Sequence, residues 1–131
     1  MKYIAKILSS NPLIEEELSV DIEGVEISCF VEEYKCDIEY GEKYIIDLEL
    51  VILDDLDMKE IITDKQSVYQ INESFSYLIT GKFLVDTKQI ESKIFFSLED
   101  EEVSDYWYLE NKNVEIRVDR INISVIEKYR K

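Results

Sequence analysis

The strongest constraint in this chain is a two-residue rhythm of apolar and polar side chains. Leu18, Val20 and Ile22 alternate with Ser19, Asp21 and Glu23. Beyond Gly24, Val25, Ile27, Cys29 and Val31 alternate with Glu26, Ser28, Phe30 and Glu32. Successive side chains of an extended strand point to opposite faces, so this rhythm buries one face and wets the other. It predicts two strands joined by a tight turn or bulge at Glu23-Gly24, or one long strand kinked there.

The rhythm recurs downstream. Tyr40-Gly41-Glu42 reads as a turn, and Tyr44, Ile46, Leu48, Leu50 and Ile52 then mark one face of a strand that Asp54-Asp55 ends. Its other face, Ile45, Asp47, Glu49, Val51 and Leu53, is mixed, as expected of a strand covered partly on both sides. Ile61-Ile62 reads as a short edge strand. Phe75, Tyr77 and Ile79 form a further run, punctuated by Gly81 and resumed at Phe83 and Val85, and Ile94, Phe96 and Leu98 form a shorter one. Val114, Ile116 and Val118 are the cleanest case, and Ile121, Ile123 and Val125 continue on the other parity after a one-residue slip at Arg120. Such a slip predicts a bulge or a corner.

Helix signals are few. Asn11-Pro12 ahead of Leu13–Glu17 suits one helical turn, with Asn as cap and Pro at the first position. Ser104–Glu110, with Ser104 as cap, is a second candidate. The expectation is therefore all-β with minor helix. Several short strands with small turns suit a closed barrel or a sandwich. Long strands that bend at Gly24, Gly81 and Arg120 favour a small antiparallel β-barrel of OB-like layout, with a β-sandwich as the alternative.

With 131 residues, the chain fits one domain. Its expected parts are an N-terminal strand 2–9, a main β body 17–127 and a frayed basic tail 128–131. No leader-like apolar stretch and no run of about 20 apolar residues is present, so a soluble, cytoplasmic protein is expected, without a membrane partner. In that compartment Cys29 and Cys36 stay reduced, with a disulfide across a bend as the alternative. Cys29 sits in an alternating run and reads as a small buried hydrophobe.

Charge narrows the function. Thirty acids against fifteen bases leave a net charge of −15. That opposes binding to a phosphate backbone, which depends on Lys and Arg, and binding to anionic membranes. It favours basic protein partners or cations, although most acids of an acidic protein are simply solvated. The chain has no His, so it lacks the commonest general base and the commonest metal ligand. Its three isolated glycines make no phosphate-cradling loop.

The remaining chemical candidates each have a plain alternative. Paired carboxylates suit glycoside hydrolysis, but thirty acids produce such pairs by chance. Asp86 with Glu91-Ser92-Lys93 has the acid and acid-x-Lys pattern of a Mg²⁺ nuclease, and equally that of a polar hairpin end. Asp54, Asp55 and Asp57 are candidate Ca²⁺ ligands without the glycine and distal glutamate of an EF-hand, and the acidic loop Glu99–Glu102 is a second candidate whose contiguous side chains splay apart. No catalytic residue, no cofactor and no metal site is expected.

Tyr106-Trp107-Tyr108, beside Glu99, Asp100, Glu101 and Glu102, is the densest aromatic group and the candidate interface. Aromatics with a polar tip anchor interfaces, and they also pack well on strands. The basic residues Lys112, Arg117, Arg120, Lys128, Arg130 and Lys131 gather toward the C-terminus, yet nearby acids offset four of them, and no basic groove emerges. The reading favoured by the sequence is a non-catalytic protein-binding module, for example an immunity or inhibitor protein for a basic partner. An OB-like barrel that binds a small molecule, oligosaccharide or oligonucleotide is the alternative.

Overall fold

The computed structural model describes residues 2–11, 13–72 and 74–130. The strands are β1 (Lys2–Asn11), β2 (Ile14–Ile22), β3 (Val25–Tyr34), β4 (Lys43–Val51), β5 (Met58–Glu60), β6 (Ser67–Gln70), β7 (Tyr77–Leu84), β8 (Gln89–Glu91), β9 (Phe95–Ser97), β10 (Asn113–Val118) and β11 (Arg120–Lys128). Among the described residues, helix is limited to α1 (Asp100–Asp105) and a 3-10 turn at Trp107–Leu109. The chain is thus all-β with minor helix.

Two sheets form. β1, β2, β3, β11 and β4 close into a ring in that order. All its pairings are antiparallel except β3 with β11. The second sheet runs β5, β10, β7, β8, β9, with β6 also paired to β7. Its strands all lie between β4 and β11 in sequence, so the whole second sheet is an insertion ahead of the strand that closes the ring.

The alternating parity determines this arrangement. Leu18, Val20 and Ile22 on β2, with Ile27, Cys29 and Val31 on β3, are buried. Their hairpin is joined at Glu23 and Gly24, both with positive φ (53° and 87°), the backbone of a two-residue turn that follows strand twist. The slip at Arg120 is a corner. Val118 is buried on β10 in the second sheet, and Ile121 is buried on β11 in the ring. Asp119 holds the corner: its N–H donates to the Val51 carbonyl (2.9 Å), and its carboxylate accepts from the Leu53 N–H (2.7 Å).

One buried apolar cluster spans both sheets, from Ile46 and Ile123 in the ring to Ile79, Phe83 and Phe96 in the second sheet. Tyr77 bridges the sheets, because its hydroxyl on β7 accepts the Ser28 N–H of β3 at 2.7 Å. Tyr3 makes a second bridge, donating from β1 to the Phe95 carbonyl of β9.

Several expectations need correction. Leu13–Glu17 is not helical: residues from Ile14 onward belong to β2, and Pro12 lies outside the described residues. The Asn11 side chain accepts from the Leu13 N–H at 2.9 Å, so it closes a tight turn between strands instead of capping a helix. Gly81 does not interrupt its strand; β7 runs through it. A Cβ there would sit 2.4 Å from the Glu91 carbonyl oxygen, so glycine is required by close approach of β8. The short strand near Ile61-Ile62 is displaced to Met58–Glu60. The N-terminal strand reaches Asn11, beyond its expected end at residue 9. The tail is partly docked: Lys128 is in β11, and the Tyr129 N–H donates to the Lys43 carbonyl (2.9 Å). Lys131 lies outside the described residues.

Candidate interaction site

The segment Glu99–Glu110 forms a lobe on the second-sheet side of the molecule. The sequence offers Ser104–Glu110 as a helix candidate; α1 instead spans Asp100–Asp105 with Glu99 as its N-cap, and a 3-10 turn covers Trp107–Leu109. Three acids in the first turn, Asp100, Glu101 and Glu102, suit the positive end of a helix. Glu102 reaches back so that its carboxylate accepts the Glu99 N–H at 2.8 Å, which is one half of a capping box. The acidic run read as a loop is therefore a helix start.

Three side chains anchor this lobe. Val103 and Leu109 are buried, and the Tyr106 hydroxyl donates to the Leu56 carbonyl at 2.6 Å. Trp107 and Tyr108 point away, 66% and 59% exposed. Their rings meet edge to face with centroids 6.3 Å apart. The predicted aromatic trio is thus divided: Tyr106 holds the lobe, and Trp107 with Tyr108 forms its outer surface.

The lobe carries Glu99, Asp100, Glu101, Glu102, Asp105 and Glu110, and no base. Asp100 meets Lys88 at 2.6 Å, but both side chains are largely exposed, so the pair adds little stability. Burial pushes the Glu102 carboxyl above the usual carboxylate range; the Glu99 N–H opposes this, and the Glu99 charge adds to it. Glu99 and Glu102 face Asp47 and Glu49 of β4 across a cavity of about 350 Å³. Acidic surface therefore continues from the lobe onto the ring.

The outer face of β2 and β3 is also acidic. It presents Glu17, Asp21, Glu26 and Glu32 on the parity opposite the buried residues. Of its two aromatics, Tyr34 is exposed at the end of β3 and Phe30 is already engaged. Phe75 packs edge-on at 5.9 Å, and the Arg120 guanidinium lies 4.3 Å from the ring centre.

The other candidates are placed as follows. Asp86 sits in the β7–β8 turn, whereas Glu91 pairs with Lys82 further along the hairpin. The Ser92 hydroxyl is buried and donates to the Thr80 carbonyl at 2.6 Å. The acid and acid-x-Lys pattern is thus spread over a hairpin. Asp54, Asp55 and Asp57 are exposed in the loop after β4. Among the described residues no three acidic or cysteine side chains gather at a distance suited to a metal ion. Cys29 is buried inside the ring and Cys36 is half-buried beyond β3; both are free thiols. Burial drives the Cys29 thiol upward from its ordinary value.

One feature escaped the sequence reading. A cavity of about 920 Å³ lies on the outside of β1 and β4 and is lined in part by Lys2, Lys6 and Lys43. Its signal was present in the Lys2-x-Ile4-x-Lys6 alternation, but assembling it requires Lys43, which only the β1–β4 register brings alongside.

Residues 1–126 match the model of the family described as uncharacterised conserved protein UCP019853. The chain belongs to this family. No curated protein matches it, and no solved structure does. No helix among the described residues is long and apolar enough to cross a membrane.

Proposed function

We propose that this member of the UCP019853 family is a non-catalytic protein-binding module that docks a basic partner through the Glu99–Glu110 lobe. The observation that carries this reading is the pairing of two exposed aromatics, Trp107 and Tyr108, with six carboxylates on a lobe held by Val103, Leu109 and Tyr106. Exposed Trp and Tyr on a fixed backbone are typical interface anchors, because they bury much area at small entropic cost. The surrounding carboxylates speed encounter with a cationic surface and repel anionic ones. An immunity-type or inhibitor protein for a basic enzyme or toxin has these requirements. The absence of His and the spread of the remaining carboxylates favour binding over catalysis. Two free thiols suit a reducing, cytoplasmic setting.

The ring's five strands, with β3 parallel to β11, favour an OB-like layout. Oligonucleotide binding on the β2–β3 face, a common use of such barrels, is disfavoured by the charges of Glu17, Asp21, Glu26 and Glu32, with Phe30 at the middle of that face already packed against Phe75.

The test is affinity capture from the native host with the parent chain and with Trp107→Ala/Tyr108→Ala. The expected result is a basic protein retained by the parent, lost by the variant and released by moderate salt. Identical capture by both chains, or binding indifferent to salt, overturns the proposal.

A further inference from the structure

We infer that the outer face of β1 and β4 is a ligand site for a soluble anionic amphiphile, a carboxylate on an aliphatic body. Two cross-strand pairs carry this. In the β1–β4 register Lys6 stands directly opposite Lys43, and Ile4 directly opposite Ile45. Residues so placed lie about 5 Å apart at Cβ, close enough for like charges to repel. The chain has twice as many acids as bases, yet no ion pair to Lys2, Lys6 or Lys43 is found among the described residues. Glu42, the acid beside Lys43, is turned to Lys128 at 3.9 Å.

Ile4 is 44% exposed next to this lysine pair. Repelling ammonium groups and a wet aliphatic floor are both relieved by one molecule with an anionic head and an apolar tail. The cavity, about 920 Å³, falls within the roughly 300–1,000 Å³ of small-molecule sites. Asp21, which stands opposite Lys6 in the β1–β2 register with no ion pair between them among the described residues, and Glu23 also line the cavity, which leaves the Lys43 side as the anion end. Asp21 is already committed to the turn, where it accepts the Gly24 N–H at 2.9 Å.

Two other occupants fit less well. β1 is paired on both sides, to β2 and β4, and β4 to β1 and β11, so neither offers a free edge to an added peptide strand. A membrane surface bearing anionic lipid meets the whole net charge of −15, whereas a single molecule meets only the lysine side of the cavity.

The test is an amide ¹H–¹⁵N titration of the full chain with octanoate, acetate and octanol, the octanoate kept below its micelle concentration. Octanoate is expected to shift residues 2–6, 21–24 and 43–45 and to bind at least tenfold tighter than acetate or octanol. Lys6→Gln/Lys43→Gln is expected to weaken octanoate at least tenfold with amides elsewhere unmoved. Acetate matching octanoate removes the apolar half of the proposal, and octanol matching it removes the anionic half. Octanoate shifts outside these residues, or affinity unchanged in the double variant, overturn the site. Should that variant fail to fold, the three-ligand comparison on the parent still decides. Sedimentation with phosphatidylglycerol vesicles through the same residues, without octanoate binding, overturns the soluble ligand in favour of a membrane surface.

Discussion

The ring and the second sheet solve the same burial problem with different means. Each of the five ring strands has nine or ten residues, and β2, β3 and β4 each carry three alternating buried positions. The second sheet uses strands of three to eight residues, among them β5, β8 and β9 with three each. Long strands supply enough alternation to set their own register; short ones depend on neighbours. The ring thus acts as scaffold, and the irregular insertion between β4 and β11 is free to carry the exposed Trp107–Tyr108 lobe. Loops and insertions on a rigid frame are where binding residues commonly sit.

The comparison is sharpest at glycine. Gly81 in the second sheet is fixed by space, with the Glu91 carbonyl 2.4 Å from where a Cβ would stand. Gly24 in the ring is fixed by its φ of 87°, with nothing within 4 Å of a Cβ. Gly81→Ala is therefore expected to cost about 3 kcal/mol or more, since backbone must move. Gly24→Ala should cost about 1–2 kcal/mol from strain alone. Urea unfolding of both variants checks the order, and the reverse order breaks the comparison.

A second prediction asks whether the two regions unfold as one. Tyr77→Phe deprives the Ser28 N–H of its partner across the sheets and should cost about 1–3 kcal/mol. One shared core requires that tyrosine fluorescence and far-ultraviolet dichroism still report a single, coincident transition. Two separated transitions would mean that the ring and the insertion are independent units.

Smaller effects discriminate within the lobe. Tyr106→Phe loses its bond to the Leu56 carbonyl and should cost about 0.5–1.5 kcal/mol. Trp107→Ala, by contrast, should change stability by no more than about 0.5 kcal/mol, as befits an exposed side chain. Thermal unfolding separates the two, and equal losses would show that Trp107 is structural.

The smallest effect concerns Glu102. Its folded carboxyl titrates above the unfolded one, so ionising it opposes folding as pH rises through the folded value. Glu102→Gln keeps an acceptor for the Glu99 N–H and cannot ionise. The variant should melt slightly above the parent at pH 7, and the difference should vanish below the unfolded carboxylate range. A lower melting temperature at pH 7 would mean that the Glu102 charge favours the helix start.

The same contrast explains what was legible in the sequence. Leu18–Val31 and Val114–Val125 show their strands and the breaks between them through parity, whereas pairing decides for a turn at Gly24 and a corner at Arg120. Gly81 misled because a strand glycine needed for close approach looks like a turn until β8 is placed beside it. Asn11 misled because its side chain serves a tight turn as readily as a helix cap. The acidic run Glu99–Glu102 and the aromatics were visible as composition, but only folding divides Tyr106 from Trp107 and Tyr108. The β1–β4 groove was illegible because Lys6 and Lys43 meet through register across 37 positions.

The central claim is that the molecule meets its partner through the insertion and not through the ring. A photo-crosslinking amino acid placed at position 107 in living cells, with Tyr34 of β3 as the ring control, tests it most directly. Tyr34 is a fair control because it is 46% exposed. The account predicts an adduct with a basic protein from position 107 and none from position 34. Adducts from position 34 alone, or the same adducts from both positions, would contradict it.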